Sequence, residues 1–95
     1  MPTQITQIDN VNENRTTLRV EGEMGEDDAL LLERIGTEIR NATGNTVLID
    51  LADLDVIDSD AAPILRRLGT TRGFQVHGIE IFLQTVINNA ERGRR

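Results

Sequence analysis

The segment Thr46-Val47-Leu48-Ile49-Asp50-Leu51 is apolar at almost every position, and it limits the possible folds more than any other stretch. A strand with one wet face alternates apolar and polar residues, whereas an interior strand runs nearly apolar on both. The segment therefore predicts the central strand of a sheet. Around it the apolar period changes. Thr16 to Glu23 alternates, with Leu18 and Val20 on one face and Thr17, Arg19 and Glu21 on the other. That pattern predicts a strand covered on one side only. Gln4 to Ile8 reads as a short, imperfect strand, and Asp9 to Asn14 is dense in turn formers, which predicts a hairpin loop.

Helical spacing appears in three places. Leu31, Leu32, Ile35 and Ile39 form one stripe, opened by Asp27 or Asp28 and closed near Gly44, which suits a left-handed C-terminal position. Gly36 interrupts it at a cost of about 1 kcal/mol relative to alanine, tolerable where the helix packs tightly on the sheet. After a connection over Ala52 to Ile57, Asp58-Ser59-Asp60 opens a second helix that begins at Ser59 or Asp60 and runs to about Leu68. Pro63 falls in its first turn, where the missing N–H costs little. Phe74 to His77 is a short fourth strand. Ile79 to Arg92 is a third helix, striped by Ile79, Phe82, Leu83, Val86 and Ala90.

The expected order is β-β-α-β-α-β-α: one α/β domain over residues 1–95, with a four-stranded mixed sheet and three helices. Right-handed crossovers between parallel strands would place the first two helices on one face. The opposite face, with Thr17, Arg19 and Glu21, meets either water or a second subunit in a homodimer.

Composition narrows the function. The 95 residues carry a net charge of −6, which argues against a nucleic-acid partner. All ten cationic side chains are arginine, so Schiff-base chemistry and a Walker-type phosphate-binding lysine are excluded. There is no cysteine, hence no disulfide, thiolate nucleophile or zinc-thiolate site. Phe74 and Phe82 are the only aromatics, too few for a base-stacking platform. No apolar run approaches the ~18 residues of a membrane span, and Met-Pro-Thr-Gln-Ile-Thr does not resemble a signal peptide. The expectation is a cytoplasmic protein without direct membrane insertion and without a cofactor.

Ser59 is the only serine. At a helix N-terminus a hydroxyl can cap the helix, or it can carry a phosphate that the dipole and free N–H groups help to hold. Asp50, Asp53, Asp55, Asp58 and Asp60 surround it in sequence. Their spacing lacks the alternate acids, central glycine and distal glutamate of a calcium loop, so the expectation is no metal site, with Asp58 fixing the turn that presents Ser59. An enzymatic reading would need His77 as a base for Ser59, and the chain lacks material for a deep pocket; no catalytic residue is expected. Arg66 and Arg67, with Arg72 beyond them, are either ordinary solvated charge or a rim that contacts acidic groups on a partner.

Val47-Leu48-Ile49-Asp50-Leu51, then Val56-Ile57-Asp58-Ser59 and an apolar helix, resembles the STAS family, the anti-sigma factor antagonist domains. Arg19-Val20-Glu21-Gly22-Glu23 looks like that family's second strand and its exit glycine. The resemblance implies a partner-binding module of transcription regulation and signalling, not an enzyme. It implies that a kinase-type anti-sigma factor binds the unmodified form and phosphorylates Ser59, making the chain a phosphoprotein switched off by charge. The partner-binding surface would comprise Asp58, Ser59, Asp60, Ala62, Arg66 and Arg67. Other STAS domains imply the alternative, an unphosphorylated adaptor docked on a transport ATPase or in a signalling assembly.

Overall fold

The computed structural model describes residues 3–78, so the expected third helix lies outside the described residues. β1 (Gln4–Asn10) and β2 (Arg15–Met24) form an antiparallel hairpin, paired without interruption from Gln4 opposite Glu21 to Asn10 opposite Arg15. A single 3-10 turn, Val11–Glu13, closes it. The Asn10 side chain accepts the Glu13 N–H at 3.3 Å, and Asn14 takes the left-handed conformation that asparagine tolerates.

α1 (Glu26–Thr43) starts where Asp28 accepts the Gly25 N–H at 3.0 Å and ends at Gly44, whose N–H reaches the Arg40 carbonyl at 2.8 Å. Its most buried positions are Ala29, Leu32 and Gly36, with Ile35 and Ile39 half-buried beside them. Leu31, expected in the stripe, is 45 % exposed. Three consecutive leucines hide the phase of a helix, and the sheet selects Leu32. Gly36 is buried because Phe74 lies against it: a Cβ there would stand 2.8 Å from Cε2 of the ring. Arg40 covers the same ring from outside, 4.5 Å above its centroid.

β3 (Thr46–Asp50) and β4 (Leu54–Ile57) both pair with β2 in parallel, one after the other along the same edge, and β5 (Gln75–His77) pairs with β3. α2 (Ala62–Thr70) connects β4 to β5. The described residues thus hold five strands and two helices, where four strands and three helices were expected for the whole chain. The sheet is mixed, as expected. The added strand is β4, read from sequence as a connection. Its pattern is broken because Asp55 is an extra residue: Leu54 pairs with Gly22, but Val56 pairs with Glu23. Such a bulge resets which face each side chain meets, so Leu54 and Ile57 turn inward while Val56 stays 52 % exposed.

One core joins the inner face of the sheet to both helices. Leu18, Val20, Val47 and Ile49 meet Leu32, Leu65, Leu68 and Phe74 there. Leu48 points the other way and is only half-buried, so the central strand is less covered on its second face than its sequence predicts. Gly22, with φ 89°, marks the point where β2 passes from β3 to β4.

The Asp58–Ala61 turn as candidate functional site

The turn follows β4 and precedes α2. Its start is held by the sheet: the Asp58 N–H donates to the Met24 carbonyl at 2.8 Å, which places the turn beside the start of α1. Two further bonds close it. The Ala61 N–H donates to the Asp58 carbonyl at 2.9 Å, and the Asp60 N–H donates to Asp58 Oδ1 at 3.3 Å. Asp58 therefore holds the turn ahead of the helix, its side chain taking the Asp60 N–H and its carbonyl the Ala61 N–H. Helix α2 then begins at Ala62, not at Ser59 or Asp60. The first helical hydrogen bond runs from the Leu65 N–H to the Ala61 carbonyl at 3.0 Å.

Ser59 sits at the tip of this turn, exposed. Its hydroxyl has no hydrogen-bond partner among the described residues, and α2 has no side-chain cap. The capping reading of Ser59 is corrected on this point: Ala61 stands at the helix entrance without a side-chain cap, and the Asp58 carboxylate holds the turn ahead of it. Asp58 and Asp60 are exposed beside it, and Val56 adds an apolar patch that sequence reasoning missed. Nothing in the sequence signals Val56, since its outward direction follows from the bulge at Asp55.

Other expected contact residues divide. Ala62 is buried at 5 % exposure, so its methyl packs beneath the turn and leaves the accessible surface. Arg66 is exposed on α2, with no side-chain partner among the described residues. Arg67 is committed elsewhere: its Nε and Nη2 donate to Glu33 of α1 at 3.0 and 2.8 Å, and Arg72 Nε adds a third bond at 3.3 Å. These bonds clamp α1 to α2. The remaining acids have local roles. Asp50 accepts the Ala52 N–H at 3.0 Å, and Asp53 accepts Arg19 Nε at 2.7 Å. Among the described residues no three acids or histidines converge as metal ligands. His77 lies on β5 opposite Asp50, with no hydrogen bond to Ser59.

The clamp has a pH signature. The hydrogen bond from Arg67 lowers the Glu33 pKa below its ordinary 4.5; burial opposes this, and Arg72 adds to the lowering. A carboxylate with a lowered folded pKa stabilises fully above its unfolded value and loses that effect as pH falls through the folded one. Wild type is therefore expected to melt higher than Glu33→Gln near neutral pH, and the gap is expected to close below pH 4.5 as Glu33 protonates. Melting temperatures of both chains across that range check this. A gap unchanged by acid would show that packing, not charge, makes the clamp.

No family model matches the sequence, and no curated protein matches it either. Solved structures do match. The anti-sigma factor antagonist SpoIIAA in its unphosphorylated form aligns with a TM-score of 0.52 at 20% identity, over 73% of this chain and 61% of that one. An uncharacterised DUF3478-family protein with a SpoIIAA-like fold, from Shewanella loihica PV-4, aligns with a TM-score of 0.50 at 20% identity, over 75% of this chain and 57% of that one. The alignments thus span less than two thirds of either structure's own length. The chain has a STAS-like, SpoIIAA-like fold.

Proposed function

We propose that this chain is a regulatory protein-binding module of the anti-sigma factor antagonist type, contacting its partner through Asp58, Ser59 and Asp60. A kinase-type anti-sigma factor is the partner, in a cytoplasmic signalling system that controls transcription. The observation that carries this reading is the idle hydroxyl. Ser59 is exposed at a turn tip while Asp58 makes the hydrogen bonds that hold the turn, so the serine is free to be read or modified without loss of the fold. Phosphorylation would add about 1.5 to 2 negative charges to a turn that already carries Asp55, Asp58 and Asp60. A partner fitted to the neutral hydroxyl would then meet a bulky anion and release. Arg66, exposed on the next helix and unpaired among the described residues, supplies a rim charge that favours association.

The test is an intact-mass measurement after incubation with the cognate kinase and ATP. Wild type is expected to gain one phosphate and lose its complex; Ser59→Ala gains none and keeps both fold and complex. Phosphate on another residue, or a complex indifferent to phosphate at Ser59, would overturn the switch. One observation favours a second reading, an unphosphorylated adaptor on a transport ATPase or signalling assembly. Asp60 keeps a carboxylate permanently beside the hydroxyl, which repels an incoming phosphate. A complex with an ATPase that survives Ser59→Ala, in a chain no kinase modifies, would select that adaptor.

A further inference from the structure

The bulge in β4 decides which side chain is displayed beside Ser59. In an unbroken strand Leu54 and Val56 would share the inner face. The extra residue, Asp55, shifts the register, so Leu54 and Ile57 enter the core while Val56 stands outside at 52 % exposure, opposite Glu23 on β2. Isolated exposed aliphatics are common on protein surfaces, and two features separate this one from them. The first is rigidity. Ile57 pairs with Met24, and the Asp58 N–H donates to the Met24 carbonyl at 2.8 Å. The Asp58 side chain and carbonyl then take the Asp60 and Ala61 N–H groups. Val56 and the Ser59 tip are thus carried on one hydrogen-bonded unit. The second is charge. Residues 41–65 hold five aspartates and no arginine, hence −5 of the chain's −6. Asp53 is paired with Arg19. Asp55 and Asp58, to either side of Val56 in sequence, are exposed and form no ion pair among the described residues.

We infer, on the basis of the function proposed above, that Val56 is the apolar anchor of the partner interface. It is seated in an apolar pocket of the partner, bordered by cationic side chains that face Asp55 and Asp58. Burial of the Val56 methyls supplies the dry, non-polar centre that a protein interface needs and that the surrounding carboxylates cannot provide. The two flanking charges draw a basic surface to the turn and repel an acidic one. Phosphate on Ser59 acts on this seat by its bulk. The tip and Val56 move together, so a group that holds the tip away from the partner also withdraws Val56 from its pocket.

Binding kinetics of the full chain on the cognate kinase-type anti-sigma factor test this. Val56→Thr keeps the β-branched shape but brings a hydroxyl to the pocket. It is expected to dissociate about tenfold faster or more while keeping the wild-type circular dichroism. Val11→Thr, at a residue 83 % exposed in the β1–β2 turn, is expected to bind as wild type does. Added salt is expected to slow association. Because the chain has no cysteine, Val56→Cys gives an independent readout. Bound partner is expected to slow its alkylation, while Val11→Cys reacts as in the free chain. A partner that holds wild type and Val56→Thr equally overturns the inference and leaves the proposed function standing; a kinase that does not bind wild type overturns both. Equal losses in Val56→Thr and Val11→Thr, association indifferent to salt, or Val56→Cys alkylated in the complex at the free rate also overturn it. Should Val56→Thr fail to fold, the alkylation rates decide.

Discussion

Ile49→Ala is expected to cost about 2–5 kcal/mol, and Leu48→Ala, one residue away, only about 1 kcal/mol. The two side chains leave β3 on opposite faces. Ile49 is fully buried in a row across the sheet, with Leu18 opposite it on β2 and Val76 on β5. Truncation there opens a cavity in the middle of the core, and a strand paired on both sides, by β2 and β5, cannot close around it. Leu48 is half-buried, so it loses less contact and leaves no enclosed void. The difference matters because a chain of this length has a total stability of only about 5–14 kcal/mol. Urea midpoints of the two variants measure it. Equal losses would mean that the second face of β3 is covered as completely as the first.

Gly78→Ala is expected to cost about 1–3 kcal/mol, more than Gly44→Ala, although both glycines have positive φ. Gly44, at φ 75°, has nothing within 4 Å of an added Cβ, so alanine there meets only the unfavourable backbone conformation. Gly78, at φ 91°, adds a steric conflict: its Cβ would stand 3.0 Å from both the Ala52 nitrogen and the Leu51 carbonyl carbon. Backbone atoms cannot swing aside as a side chain can. They are also held, because the Leu51 N–H donates to the His77 carbonyl at 2.9 Å. The displaced segment leads directly into β4 and the Ser59 turn. Paired melting curves of the two alanine variants, with Gly44→Ala as reference, check the extra loss; equal midpoints would remove the steric argument.

How much of this was legible depends on how local each signal is. The β1–β2 hairpin, α1, β3, α2 and β5 all follow from apolar periodicity and turn chemistry carried within a few residues of each element. β4 does not. Leu-Asp-Val-Ile is too short to show a period, and its bulge at Asp55 breaks the alternation that would identify it. Only Gly22 to Met24, some thirty residues earlier, makes it a strand, by offering an open parallel edge. The start of α2 moved for a similar reason. Asp58, Ser59 and Asp60 are all competent caps in sequence, and the bond from the Asp58 N–H to Met24 makes Asp58 the one that turns the chain. Arg66 and Arg67 look equivalent on paper, yet of the two only Arg67 bonds Glu33 on another helix.

The order of residues alone settled the alternation of strands and helices, the absence of thiol and lysine chemistry, and a single serine placed between a strand and a helix. Those properties depend on side-chain identity and on contacts a few positions apart. Whether that hydroxyl would be consumed as a cap or left exposed was decided by packing, since it turned on where a distant carbonyl came to rest. Hydrogen bonds between segments far apart in the chain leave no trace in local composition, and they determine here that Asp58, and not Ser59, holds the turn.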